Sequence, residues 1–213
     1  MSMEFIRARS KEQKNIRIDH VVKAALKLYR IMPYEKINML KIAKELDFTR
    51  ANLYKYFSTK HEVFLKVIES DLRNYIKDLG KVFKDPLPLE KFARMWAEVL
   101  FKHKRLLGLL SILFSIIEKN VTLDKLAEFK IVLFRETAKT LQIVKNQFPE
   151  FSDEDVNRFL LTQQIFALGL YPATLQNEIQ KKAVAKAGIS YSPPDFVDAF
   201  SQFIVLTVKG LGV

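Results

Sequence analysis

The sequence predicts an all-α fold in two helical parts, residues 1–60 and 61–213. Three observations carry this. Apolar residues recur at the 3, 4 and 7 spacing of amphipathic helices along nearly the whole chain. Only 6 Gly and 7 Pro stand among 213 residues, which favours long regular elements over many turns. Half of the residues are apolar (49%), enough to bury a core and too many for a disordered chain.

The elements follow in order. Ile18, Val21, Val22, Ala25, Leu28, Tyr29 and Met32 form the inner face of a first helix. It ends before Pro33, because the residue ahead of a proline avoids helical backbone. Asn38 is placed to cap a short second helix with Met39, Ile42, Ala43 and Leu46 inside. Asp47-Phe48 breaks the pattern, and Thr49 is placed to cap a third helix with Leu53 and Phe57 turned inward. Thr59 and Glu62 have capping-box spacing, which opens a fourth helix at Lys60. That helix runs to about Lys84, with Phe64, Val67, Ile68, Leu72, Tyr75 and Leu79 along one side. Asp85-Pro86-Leu87-Pro88 ends it.

A helix bearing Phe92, Met95, Trp96, Val99 and Leu100 comes next, then one spanning Leu106 to Ile117. Asn120-Val121-Thr122 is a further break, with Thr122 as the cap of a long helix to about Gln147. Pro149 closes that stretch, and Ser152 with Asp155 starts a helix toward Tyr171-Pro172. Ser192-Pro193-Pro194-Asp195 starts the last helix, with proline expected at its first helical position. Phe196, Val197, Phe200, Ile204, Leu206 and Val208 lie along it.

Composition excludes several classes. With no Cys there is no disulfide framework and no thiolate chemistry, in keeping with a reducing cytoplasm. The segment MSMEFIRARS lacks the apolar core of a signal peptide. The longest apolar run, the 12 positions from Leu106 to Ile117, falls short of the roughly 20 residues that span a bilayer. A cytoplasmic protein with no membrane partner is expected. His20, His61 and His103 stand far apart, so no metal site is expected. Six Gly supply no phosphate-binding loop, and there is no nucleophile elbow. Asp153 and Asp155 sit at a helix start, where the dipole and capping account for them. No catalytic residue, no enzymatic activity and no cofactor are expected.

The formal net charge is +11, and it is unevenly spread. Residues 1–60 hold 14 Lys and Arg against 6 Asp and Glu, whereas residues 61–213 hold 21 against 18. Basic charge concentrated in one small segment is either a footprint for a polyanion or a solvated face. Met39 to Tyr56 has the spacing of a helix-turn-helix: Ala43 lets two helices cross closely, and Ile42, Leu46, Phe48 and Leu53 surround it. Asp47 stands at the turn, where a left-handed backbone is usual and Gly is best.

The stretch from Ile42 to Lys60, IAKELDFTRANLYKYFSTK, resembles the signature of the TetR family of repressors. Its most specific part is Leu53-Tyr54-x-Tyr56-Phe57-x-x-Lys60, and the resemblance covers about residues 14–65. Asp47 departs from the usual turn Gly, and Ala51 stands where Gly or Pro is frequent. The resemblance implies a homodimeric, DNA-binding transcriptional regulator. In it an N-terminal three-helix helix-turn-helix domain is joined by a long helix to a C-terminal ligand-binding and dimerisation domain. It further implies a repressor released from a palindromic operator by a small, largely apolar inducer.

The resemblance also assigns roles. Thr49, Arg50, Ala51 and Asn52 open the recognition helix, with Arg50 matched to a guanine and Asn52 to an adenine. Lys55 meets phosphate or a base edge, and Tyr54, Tyr56, Lys60 and Asn38 meet phosphates. Arg7, Arg9, Lys11, Lys14 and Arg17 form a basic arm. The last helices, about 153–172 and 193–210, pair with their copies through Phe159, Leu160, Phe166, Phe200, Phe203 and Ile204. Met95, Trp96, Phe114, Phe134, Gln163 and Tyr171 fall on helices that surround an inducer pocket in this family, although each taken singly reads more readily as plain core. A DNA-binding regulator without a small-molecule ligand, governed by a protein partner or acting architecturally, is the alternative.

Overall fold

A computed structural model describes the backbone of residues 3–46 and 49–212, and the side chains of residues 12–46, 49 and 51–212. Asp47 and Phe48, expected at the turn, lie outside the described residues. Among these the long elements are all helices: α1 (Met3–Ile31), α2 (Met39–Glu45), α3 (Arg50–Tyr54), α4 (Lys60–Val82), α5 (Leu89–Lys102), α6 (Lys104–Ser111), α7 (Leu123–Gln147), α8 (Asp153–Ala173), α9 (Glu178–Lys186) and α10 (Phe196–Gly210). They group into two compact units, Met1–Ser70 with Phe114–Lys130, and Asp71–Leu113 with Ile131–Val213.

In the first unit α1 packs on α2, and α2 on α3. The core is Val21, Ala25 and Leu28 of α1, Ile42 and Ala43 of α2, Leu53 and Phe57 around α3, and Val63, Phe64 and Val67 of α4. The Phe64 ring receives Tyr29 at 5.6 Å and Tyr34 at 4.8 Å, both edge-on, which fixes α1 and the turn after it to α4. A Lys27–Glu45 ion pair ties α1 to α2. α1 starts at Met3, well before its apolar stripe begins at Ile18. The extra length is rich in Arg, Lys, Glu and Gln, good helix formers that leave no stripe to read.

In the second unit α10 lies along α5 and α8, and α6 lies against α8. The rings of Phe83, Phe92, Trp96, Phe148 and Phe159 interlock with centroid separations between 5.1 and 6.4 Å. Trp96 Nε1 donates to Gln163 Oε1 at 3.3 Å, which satisfies the indole N–H inside that cluster. Arg105 grips the buried carboxylate of Asp71 with two bonds, at 2.7 and 2.6 Å. Gln147 pairs with both backbone groups of Leu87, securing the break between α4 and α5.

Three differences from the expected elements have local causes. The expected Leu106–Ile117 helix is α6 only as far as Ser111; a π turn (Leu113–Ile117) and a 3₁₀ turn (Glu118–Asn120) follow. Ser111 Oγ lies within hydrogen-bonding distance of both the Leu107 and Leu168 carbonyls, 2.8 and 3.1 Å, a contact that competes with the helix ladder. α9 carries no buried residue, so it has no apolar face for periodicity to find. Its ends are nevertheless fully capped. Asn177 and Gln180 form a capping box, and Gly188 at φ +67° lets Gly188 and Ile189 N–H reach the Ala185 and Val184 carbonyls. Finally, α10 starts at Phe196, because Asp195 accepts from Asp198 N–H at 2.9 Å as its cap. Pro193 and Pro194 therefore precede the helix rather than open it.

Candidate nucleic-acid interface

The amino ends of α2, α3 and α4 hold Asn38, Thr49 to Asn52 and Lys60, each end fixed by a side chain, while Tyr54, Lys55 and Tyr56 stand at the carboxyl end of α3 and just beyond it. Asn38 Oδ1 accepts from Lys41 N–H at 3.0 Å, and Thr49 Oγ1 accepts from Asn52 N–H at 3.3 Å. Buried Leu53 and Phe57 pin α3 from beneath. Ala51, Asn52, Tyr54 and Lys55 are exposed on its outer side, and Tyr56 is half-buried. Lys55 Nζ donates to Asn52 Oδ1 at 3.0 Å. The side chain of Arg50 is outside the described set; its backbone opens α3.

Lys60, at the first residue of α4, is held back over the turn that follows α1. Its ammonium donates to Tyr34 O at 2.8 Å and Glu35 O at 3.4 Å, and it stands 4.4 Å from the centre of the Tyr34 ring. Burial holds this ammonium below the usual lysine range, against an upward pull from Glu35. Beside it, Tyr34 Oη lies 2.6 Å from His61 Nδ1. Burial, then Glu35 and Tyr29, push the Tyr34 phenol up, so it stays protonated and donates, and neutral His61 accepts through Nδ1. Burial and then the Lys60 charge hold His61 below the usual imidazole range. Tyr34, Glu35 and His61 were not singled out by spacing; only their neighbourhood in space marks them. Of the basic arm, Lys14 and Arg17 are exposed on α1, and the side chains of Arg7, Arg9 and Lys11 lie outside the described set.

The chain matches two family models that meet in α4. Residues 21–67 match the bacterial regulatory proteins of the tetR family, and residues 65–213 match the tetracyclin repressor-like C-terminal domain. The chain belongs to the TetR family of bacterial regulatory proteins. Over 72 residues it is 31% identical to the uncharacterized HTH-type transcriptional regulator YfiR of Bacillus subtilis (strain 168), a match covering 34% of this chain. The chain thus spans about a third (35%) of that relative's length. Two solved structures share the fold. One is the fatty acid degradation regulator FadR from Bacillus halodurans, with TM-score 0.55, 13% identity, and coverage of 92% of this chain and 96% of that one. The other is a TetR/AcrR-family regulator from Thermobifida fusca YX-ER1, with TM-score 0.54, 17% identity, and coverage of 89% and 96%. The all-α TetR architecture expected from the sequence is the one observed.

The remaining candidates of this TetR-family chain are placed as follows. Trp96, Gln163 and Tyr171 are buried in the second unit, with Met95 half-buried beside them in sequence. Phe114 belongs to the first unit and is 57% exposed, and Phe134 is 70% exposed. Phe159, Phe200 and Ile204 are fully buried in the chain's own core and offer no surface to a second copy. Phe166 and Phe203 stack at 3.8 Å and are half-buried. The outward apolar residues of α8 and α10 are instead Leu161 (60% exposed), Ile165 (62%) and Leu206 (69%). Both sides of these helices are apolar, so hydropathy alone does not separate the inner side from the outer.

Proposed function

We propose that the protein is a dimeric DNA-binding transcriptional repressor, released from a near-palindromic operator by a small, largely apolar ligand. The observation that carries the DNA reading is α3: capped by Thr49 and pinned by Leu53 and Phe57, it turns Ala51, Asn52, Tyr54 and Lys55 outward. Arg50 reads a guanine, and Asn52 reads an adenine after Lys55 lets go of its Oδ1. Asn38, Tyr54, Tyr56, Lys55 and Lys60 position the head on phosphates. Two copies joined through the outward faces of α8 and α10 present α3 twice, which calls for two related half-sites. Trp96, Gln163, Tyr171 and Met95 are the residues of the second unit that a ligand would meet. The ligand must favour the DNA-incompetent arrangement of the heads, since equal affinity for both arrangements shifts nothing.

A second reading rests on the Phe83–Phe92–Trp96–Phe148–Phe159 cluster, whose rings fill the space between their helices. On it the protein is a DNA-binding regulator that answers to a protein partner or acts architecturally, without a small-molecule ligand.

The test is fluorescence anisotropy with DNA from upstream of the protein's own gene against scrambled DNA of equal length, at two salt concentrations. A preference for the upstream DNA that persists at higher salt is expected. Equal binding that vanishes with salt would sink the proposal. Release of bound DNA by apolar compounds then separates the ligand-responsive reading from the second.

A further inference from the structure

The first unit is not made of the N-terminal segment alone. The chain re-enters it at Phe114, passes through the π and 3₁₀ turns, and leaves again at Lys130. That inserted stretch delivers Asn120 and Thr122 to the start of α4. Thr59 Oγ1 donates to Asn120 O at 2.9 Å. Glu62, whose N–H donates to Thr59 Oγ1 at 3.3 Å, is 2% exposed and places its two carboxylate oxygens on different segments. Oε2 takes the Ser58 N–H at 2.7 Å. Oε1 takes Thr122 Oγ1–H at 2.9 Å and Thr122 N–H at 3.3 Å.

A buried carboxylate persists only with its oxygens supplied with donors. Two of these three hydrogen bonds come from Thr122, 60 positions further along the chain. The turn Ser58-Thr59-Lys60 is therefore shaped from both sides, and Lys60 sits two residues before the carboxylate that shapes it. We infer that Thr122, acting through Glu62, is a positioning residue for DNA binding. It holds the first turn of α4 so that Lys60 meets the phosphate at the right place. This rests on the DNA-binding reading of α3 and α4 above. Thr122 itself is exposed, and circular dichroism with a urea melt of each variant separates loss of fold from loss of positioning.

The experiment uses the full chain and a duplex enriched by the parent protein from a random-sequence pool. Thr122→Val keeps the side-chain shape and removes the hydroxyl; Thr122→Ser keeps the hydroxyl. Operator affinity is measured for the parent, both variants, Lys60→Gln and the Thr122→Val/Lys60→Gln double variant. Loss of a hydrogen bond to a charged group is expected to weaken binding by Thr122→Val roughly tenfold or more. Thr122→Ser should bind like the parent. In the Lys60→Gln background the Thr122→Val effect should largely vanish, because the two residues act on one contact. Parental affinity for Thr122→Val, or effects of the two substitutions that simply add, would overturn the inference. A parent that enriches no duplex would remove the DNA-binding reading itself and the inference with it, before any variant is made.

Discussion

For the proposed dimer, Leu206 is the sharpest probe. It sits on α10 with 69% of its surface open, beside a helix whose Leu161 and Ile165 are similarly open. Full burial of a leucine side chain contributes roughly 1.5–3 kcal/mol. Covering the open share accounts for about 1–2 kcal/mol per copy, on the same scale. A two-fold interface uses the residue twice, so Leu206→Ala should cost the dimer about 2–4 kcal/mol in total. That is roughly two orders of magnitude in the dissociation constant. Leu206→Asp should go further, since it brings a carboxylate into the seam without a partner. Neither change touches the protomer core, which Phe200, Ile204 and Val208 supply from the opposite side of α10. Sedimentation equilibrium over a range of concentrations reads the constant directly, and circular dichroism checks that the helices persist. Dimerisation of both variants with the parent's constant would refute the assignment of this face. A variant that dimerises normally but melts early would show that Leu206 serves the protomer instead.

Other outcomes follow from single contacts. Lys60→Gln should weaken binding to every DNA sequence alike and lower the slope of log affinity against log salt by about one, read by anisotropy titrations. His61 binds a proton less readily folded than unfolded, for burial and the Lys60 charge both hold it down. Its contribution is therefore present above the unfolded imidazole pKa of about 6.5 and is lost as pH falls below it through the folded value. Urea melts at pH 7.5 and 5 should show a smaller drop on acidification for His61→Gln than for the parent. Ser152→Ala removes the cap of α8, whose hydroxyl accepts from Asp155 N–H at 3.1 Å, and should cost about 1 kcal/mol in thermal or urea unfolding.

How far the sequence could be read depended on whether a feature was local. Caps are decided within four residues, and Asn38, Thr49 and Ser152 all act as caps in the structure. The helix-turn-helix was legible for a related reason, since its small and apolar positions answer to one another over a short span. What a helix packs against is a distant fact. α9 was invisible because nothing covers it within the protomer, and the early start of α1 because charged helix formers carry no stripe. Phe159 and Leu161 look alike in sequence, yet one is fully buried, against Phe92 and Trp96 of α5, and the other is open. The Glu62–Thr122 contact lay equally out of reach: each residue reads as an ordinary helix-start signal, and their meeting joins segments 60 positions apart.

The posture of Lys60 has a consequence for the entropy of recognition. A free lysine side chain gives up as much as about 2 kcal/mol of rotamer freedom when it is fixed on a partner. Here the chain is already folded over Tyr34, its ammonium resting on two carbonyl oxygens. Most of that freedom is given up when the protein folds, once, rather than at each encounter with DNA. On the proposed phosphate contact, binding replaces one set of oxygens by another, so it adds attraction with little further ordering of this side chain.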